Sequence, residues 1–165
     1  MSRLRRIAQI DRVFFVATNI SRNVPVLRPF EMDLLLEVLD ALRSSLNFQL
    51  LGYVIMPDHA HLLFATQTDF LSHIMHQSKF KTGHAVQRVR HHSGPFWQPR
   101  YFDFVCGRIS DVSDKLSYMH QNPVVADLAP YGEKWKWSSA AFYLGIGTSP
   151  IQPNLIDLSG FLRDL

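Results

Sequence analysis

The residues best suited to chemistry lie in two short segments, Met56-Pro57-Asp58-His59-Ala60-His61 and Tyr118-Met119-His120-Gln121-Asn122-Pro123. On an extended strand the side chains alternate between faces, so His59 and His61 share one face and Ala60 points to the other. Two imidazoles side by side suit a shared divalent metal; a strand that merely carries two packed histidines is the alternative. On a helix, residues four apart share a face, so Tyr118 and Asn122 can address one point in space. There the phenol is a candidate nucleophile and the Asn122 amide oxygen a candidate metal ligand. The competing reading is a packed tyrosine followed by an asparagine that ends the helix, because Pro123 biases its predecessor away from helical dihedrals.

The other histidines fit other roles. His73, His76 and His84 fall on a predicted helix, His91 and His92 in the loop that ends it, and His120 on a different helical face from Tyr118; none is expected to be a ligand. The single cysteine, Cys106, excludes an internal disulfide and a cysteine-based zinc site. Neither a P-loop nor a dinucleotide-binding fingerprint is present.

Several elements must position these residues. Arg12 to Ile20 is β-branched and aromatic and reads as a strand, followed by a proline-rich loop. Apolar residues recur at helical spacing from Phe30 to Leu46, including Met32, Leu35, Leu36, Leu39 and Leu42. Gln49 to Met56 and His59 to Ala65 form a hairpin around the turn Pro57-Asp58. Phe70 to Arg90 reads as a second helix and Phe102 to Cys106 as a short strand. A third helix is expected over Asp111 to Gln121, capped by Asp111 or Ser113 and forced to end near Asn122 by Pro123. The rest, with Trp135 and Trp137, reads as a packing tail with little regular structure. The order strand, helix, strand, strand, helix, strand predicts an α+β fold of the ferredoxin-like split βαβ plan, an antiparallel sheet with helices packed on one face.

With 165 residues, 47% of them hydrophobic, the sequence reads as one domain, with a core over about residues 12–145 and a tail over 146–165. No window is apolar enough for a membrane span, and Met1-Ser2-Arg3-Leu4-Arg5-Arg6 lacks the apolar stretch of a signal peptide, so a cytoplasmic location is expected. Net charge is only +3, but its distribution is uneven. Between Lys79 and Arg108 the basic residues Lys79, Lys81, Arg88, Arg90, Arg100 and Arg108 face one acid, Asp103, with Trp97, Tyr101 and Phe102 interleaved. Such a stretch suits a phosphate chain with bases stacked on the aromatic rings, unless it is a solvated helix face followed by core aromatics.

Four blocks in order carry a resemblance to a known family: YVIMPDHAHLLF, SGPFWQPRYFDFV, SYMHQNPVVADL and WKWSSAAFYLG. They resemble the HUH signature, the Gly-x-x-Trp-Gln aromatic block, the Tyr-x-x-x-Asn-Pro-Val block and the Trp-Ser-Ser block of the REP-associated tyrosine transposases, relatives of the insertion-sequence-200 transposases. The resemblance spans about Arg12 to Gly145. Phe104 departs from it, standing where related sequences often carry a histidine.

The resemblance implies a metal-dependent single-strand DNA endonuclease and transesterase. Magnesium or manganese would be held by His59, His61 and Asn122, and Tyr118 would form a 5′-phosphotyrosine link that can later be reversed. The implied partner is single-stranded or hairpin DNA; the basic and aromatic stretch offers Lys79, Lys81, Arg88, Arg90, Trp97, Arg100 and Tyr101 to grip it. A monomer and a homodimer with exchanged helices are both open. The rival reading is a domesticated, non-catalytic regulator that binds hairpin DNA and needs neither histidine nor Tyr118. A plain phosphoesterase in which water attacks would leave Tyr118 without a role.

Overall fold

The structure is a computed structural model that describes residues 10–160 and Leu162. The basic segment Met1 to Arg6, on which the expectation of no signal peptide rests, lies outside the described residues. The β-branched and aromatic run RVFFVATN forms β1 (Arg12–Asn19). With β2 (Gln49–Ile55), β3 (His59–Thr66) and β4 (Phe102–Cys106) it makes one sheet in the order β2-β3-β1-β4, every neighbouring pair antiparallel. Helix α1 (Pro29–Leu46) connects β1 to β2, and α2 (Leu71–Val89) connects β3 to β4. This is the ferredoxin-like plan.

Period-2 alternation divides the strand side chains between two cores. Phe14, Val16, Leu62 and Phe64 meet Leu35, Leu36 and Leu39 of α1 and Ile74, Met75 and Val86 of α2. Val13, Phe15, Leu51 and Leu63 turn the other way and pack against Val112 and Met119 of α3 (Ile109–Val125). The expected pair of helices therefore covers one face, and α3 is added on the opposite one.

Both ends of α3 correct the sequence reading. Its first turn begins at Ile109, and Asp111 sits inside that turn, where one carboxylate oxygen accepts the Gly107 and Arg108 N–H groups, each at 2.9 Å. At the other end the helix passes through Pro123 and closes at Val125, with Ala126 N–H donating to the Asn122 carbonyl at 3.0 Å. A proline removes one amide from the ladder, and here its buried ring offsets that loss so near the helix end. Asn122 is consequently held at helical geometry.

The segment expected to be an irregular tail also has a defined job. Ile55 N–H donates to the Trp137 carbonyl at 2.8 Å and Ser139 N–H to the Tyr53 carbonyl at 3.0 Å, so residues 137–139 cover the outer edge of β2. The Trp135 and Trp137 indoles donate to the Ile55 carbonyl and the Asp33 carboxylate, both at 2.8 Å. A short helix, α4 (Ala140–Leu144), follows.

Just before these tryptophans the chain presses on α3 at Gly132. A Cβ there would lie 2.3 Å from the His120 carbonyl oxygen and 3.2 Å from its carbon, and backbone cannot swing aside. Gly132→Ala should therefore displace this segment from α3 at a cost of about 1–3 kcal/mol, the usual range for overpacking. Urea unfolding of the variant, read as a midpoint lowered at unchanged slope, checks this.

One buried charge ties the two helices of the first face together. Glu31 is fully buried at the start of α1 and accepts hydrogen bonds from Arg28 and from Arg90 beyond the end of α2, the two Arg90 contacts at 2.8 and 2.7 Å. Burial alone would raise the Glu31 carboxyl, but the hydrogen bonds from Arg90 and Arg28 prevail and hold it at about 2.

Candidate functional site

The hairpin and α3 build the site on the second face of the sheet. Because β3 is a regular strand, His59 and His61 both project toward α3, their ring centroids 4.9 Å apart. Tyr118 stands over them with its ring edge-on to His61 at 5.5 Å and to Phe15 at 6.0 Å. One turn further along α3, the Asn122 Oδ1 lies 3.0 Å from His59 Nε2. The four residues singled out from two distant segments are thus brought together, and Tyr118 remains 54% exposed, so its hydroxyl can be reached from solvent.

The two imidazoles are prepared differently. His59 Nδ1 is 2.7 Å from the Asp58 carboxylate, and donating its proton there leaves Nε2 as a lone pair facing the Asn122 oxygen. Two acceptors at that separation repel one another unless a cation or a proton lies near both. His61 is buried and stacks on Phe15 at 5.3 Å, and its Nδ1 has no hydrogen-bond partner among the described residues. Burial, then the neighbouring His59 and Lys115, push the His61 pKa down to about 4, so the ring stays neutral and able to ligate at ordinary pH. Among the described residues no group of three or more His, Cys, Asp or Glu is placed to hold a metal. A third donor to these histidines would therefore come from the Asn122 amide, and two imidazoles with an amide oxygen fit a divalent cation.

Lys115, one turn before Tyr118, escaped the sequence reading. Its ammonium lies 4.7 Å from the Phe15 ring, 4.6 Å from Phe104 and 5.9 Å from Tyr118, and it makes no salt bridge among the described residues. A cation held over aromatic rings beside a phenol is available to a phosphate. Its spacing of three residues from Tyr118 was the only signal in the sequence. Phe104, which departs from the family pattern, supplies one wall of this cage. His120 faces Ser139, its Nε2 2.8 Å from that hydroxyl, and burial lowers its pKa to about 4.

The expected DNA-contact residues divide. Lys81, Arg88 and Arg100 are exposed and Tyr101 is half-buried. Trp97 is corrected: it is 6% exposed, and its indole donates to the Thr82 hydroxyl at 2.9 Å, so no ring face is open to a base. Arg90 is corrected as well, because its guanidinium is committed to Glu31 and to the Pro25 and Val26 carbonyls. Lys79 donates to the Gln98 and Pro99 carbonyls at 2.5 and 2.9 Å, and burial lowers its pKa.

No curated protein matches the chain in sequence. Among solved structures it is similar to a REP-associated tyrosine transposase bound to a REP hairpin, with a TM-score of 0.72, 18% identity and 94% of each chain covered. A chain from Deinococcus radiodurans R1 that carries a transposase designation aligns with a TM-score of 0.47 and 19% identity, over 66% of this chain and 89% of its own. Among the described residues no helix is long and apolar enough to cross a membrane. The family model of IS200-like transposases matches residues 15–122, a span that runs from β1 through the histidine pair to Asn122. The chain belongs to the IS200-like transposase family.

Proposed function

We propose that the protein is a metal-dependent single-strand DNA endonuclease and strand transferase acting on hairpin-flanked DNA, with Tyr118 as its nucleophile. The observation that carries this is the convergence of Tyr118, His59, His61 and Asn122 on the α3 face of the sheet. His59, His61 and Asn122 would hold a magnesium or manganese ion, which when bound would polarise the scissile phosphate and offset charge that develops on it. The Tyr118 oxygen bonds to phosphorus as the phosphorus–O3′ bond breaks. The 5′ phosphate stays on the tyrosine, the phenol gives up its proton, and the 3′ oxygen departs as a hydroxyl. One phosphodiester is exchanged for another, so no nucleotide is consumed and the 3′ hydroxyl can attack in reverse. Lys115, 5.9 Å from the Tyr118 ring, would meet a non-bridging phosphate oxygen, and Asp58, 2.7 Å from His59 Nδ1, would favour the tautomer that offers Nε2.

The test is to incubate the protein with a single-stranded oligonucleotide carrying a hairpin, with magnesium or manganese. A covalent adduct that survives denaturation and maps to Tyr118 is expected. Hairpin binding without an adduct under any divalent ion would favour the non-catalytic regulator.

Asn122 admits a separate check. If its oxygen is a ligand, Asn122→Ala should weaken manganese binding by tenfold or more, whereas Asn122→Asp should retain or strengthen it by adding charge to the same reach. Calorimetric titration of manganese reads both; unchanged affinity in the alanine variant removes Asn122 from the site.

A further inference from the structure

A pronounced cavity lies away from Tyr118. It is an open groove of about 970 Å³ between α2 and the segment that follows it, from His92 to Tyr101. Gly83 lets the two walls meet, since a Cβ there would lie 3.0 Å from the Phe96 Cβ. Trp97, turned inward to Thr82, forms part of the lining rather than a platform. Along the α2 wall, His76, Phe80 and His84 recur every four residues with their rings nearly parallel, at interplanar angles of 3° and 12° and centroid separations of 6.4 and 6.1 Å. Phe80, in the middle, is 62% exposed. Arg88 continues the row one turn on, and the lining contains no aspartate or glutamate.

We infer that this groove binds a short run of unpaired DNA, with a base stacked on Phe80 and the neighbouring phosphates facing Arg88 and the two imidazoles. Three features select that occupant. A carboxylate-free lining with basic residues favours a polyanion over an acidic-to-neutral peptide. A row of parallel rings offers flat faces, which paired bases cannot use because each is already covered by its neighbours. Phe80, in the middle of the row, is also 62% exposed, so its ring can be reached by such a base. The groove lies outside α2, on the face of the sheet opposite Tyr118, so it would hold DNA away from the cleaved bond. This rests on the reading that single-stranded DNA is the substrate, and the experiment separates the two.

Phe80→Ala and Phe80→Trp are compared by fluorescence anisotropy, without divalent metal, on a hairpin with an unpaired extension and on the same hairpin blunt-ended. Phe80→Ala is expected to weaken the extended hairpin about five- to hundredfold, the range for losing one stacked base, to leave the blunt hairpin unchanged, and to be rescued by Phe80→Trp. An equal loss on both DNAs, no loss on either, or a change in oligomeric state with binding intact would overturn the inference, the last by making the row an interface between copies. In a second arm, with magnesium, a short oligonucleotide spanning only the cleaved step should form the Tyr118 adduct equally in wild type and Phe80→Ala. Failure of the adduct in wild type would count against the proposed chemistry while the anisotropy arm still reads the groove.

Discussion

Tyr118→Phe should abolish adduct formation while the folded structure and DNA affinity stay as they were. The ring meets Phe15 and His61 edge-on, contacts that phenylalanine reproduces, and no hydrogen bond of the hydroxyl supports the described fold. Only the attacking oxygen is lost. Removal of an enzyme nucleophile costs on the order of 10⁴-fold or more in rate, so cleavage should fall to background. Denaturing gels of DNA incubated with each protein measure this, with anisotropy to establish equal binding. Cleavage at the wild-type rate by the phenylalanine variant would overturn the assignment of Tyr118, since no other hydroxyl has been placed beside the histidines.

The largest effect on stability is expected from Glu31→Ala. The change leaves Arg90 without its carboxylate partner, and breaking a buried pair from one side costs about 3–5 kcal/mol. For a domain of this size that lowers Tm by about 6–20 °C, measurable by calorimetry. Glu31 also shapes the response to acid. Its folded pKa, about 2, is below the ordinary 4.5, so between those values the unfolded chain binds more protons and stability falls as pH falls. His61 and His120, held near 4 instead of 6.5, act earlier with the same sign: from about pH 6.5 down to 4 the unfolded chain takes up protons that the folded one refuses. The wild-type protein should thus weaken in two stages on acidification, and Glu31→Ala should lose the lower one. A variant that keeps the whole decline below pH 4.5 would show that other carboxylates govern it.

The strands, the hairpin and the face shared by His59 and His61 were legible because they follow from local rules: β-branched runs, a turn dipeptide and a period of two. Tyr118 and Asn122 were legible for the same reason, as residues four apart. What local rules could not show was which basic and aromatic residues are used inside the molecule. Trp97 and Arg90 have the residue types of a DNA surface, yet Thr82 and Glu31 claim them, and Glu31 lies 59 positions from Arg90. Glu31 three residues after Arg28 at the head of a helix did hint at an inward-facing carboxylate, because a glutamate there folds back on the preceding backbone. The helix running through Pro123 was misread because a proline rule was applied without knowing that its ring would be buried. The face taken by α3 is likewise a tertiary outcome, fixed where Gly52 leaves room for Leu116 and Met119.

The sheet is also a partition. Side chains of β1 and β3 that face α1 and α2 never touch those that face α3, and the two cores draw on alternate residues of the same strands. Substitutions on the two sides should therefore combine nearly additively. On the proposed function, substitutions along the groove outside α2 should change which DNA is held while the geometry around Tyr118 stays as it is.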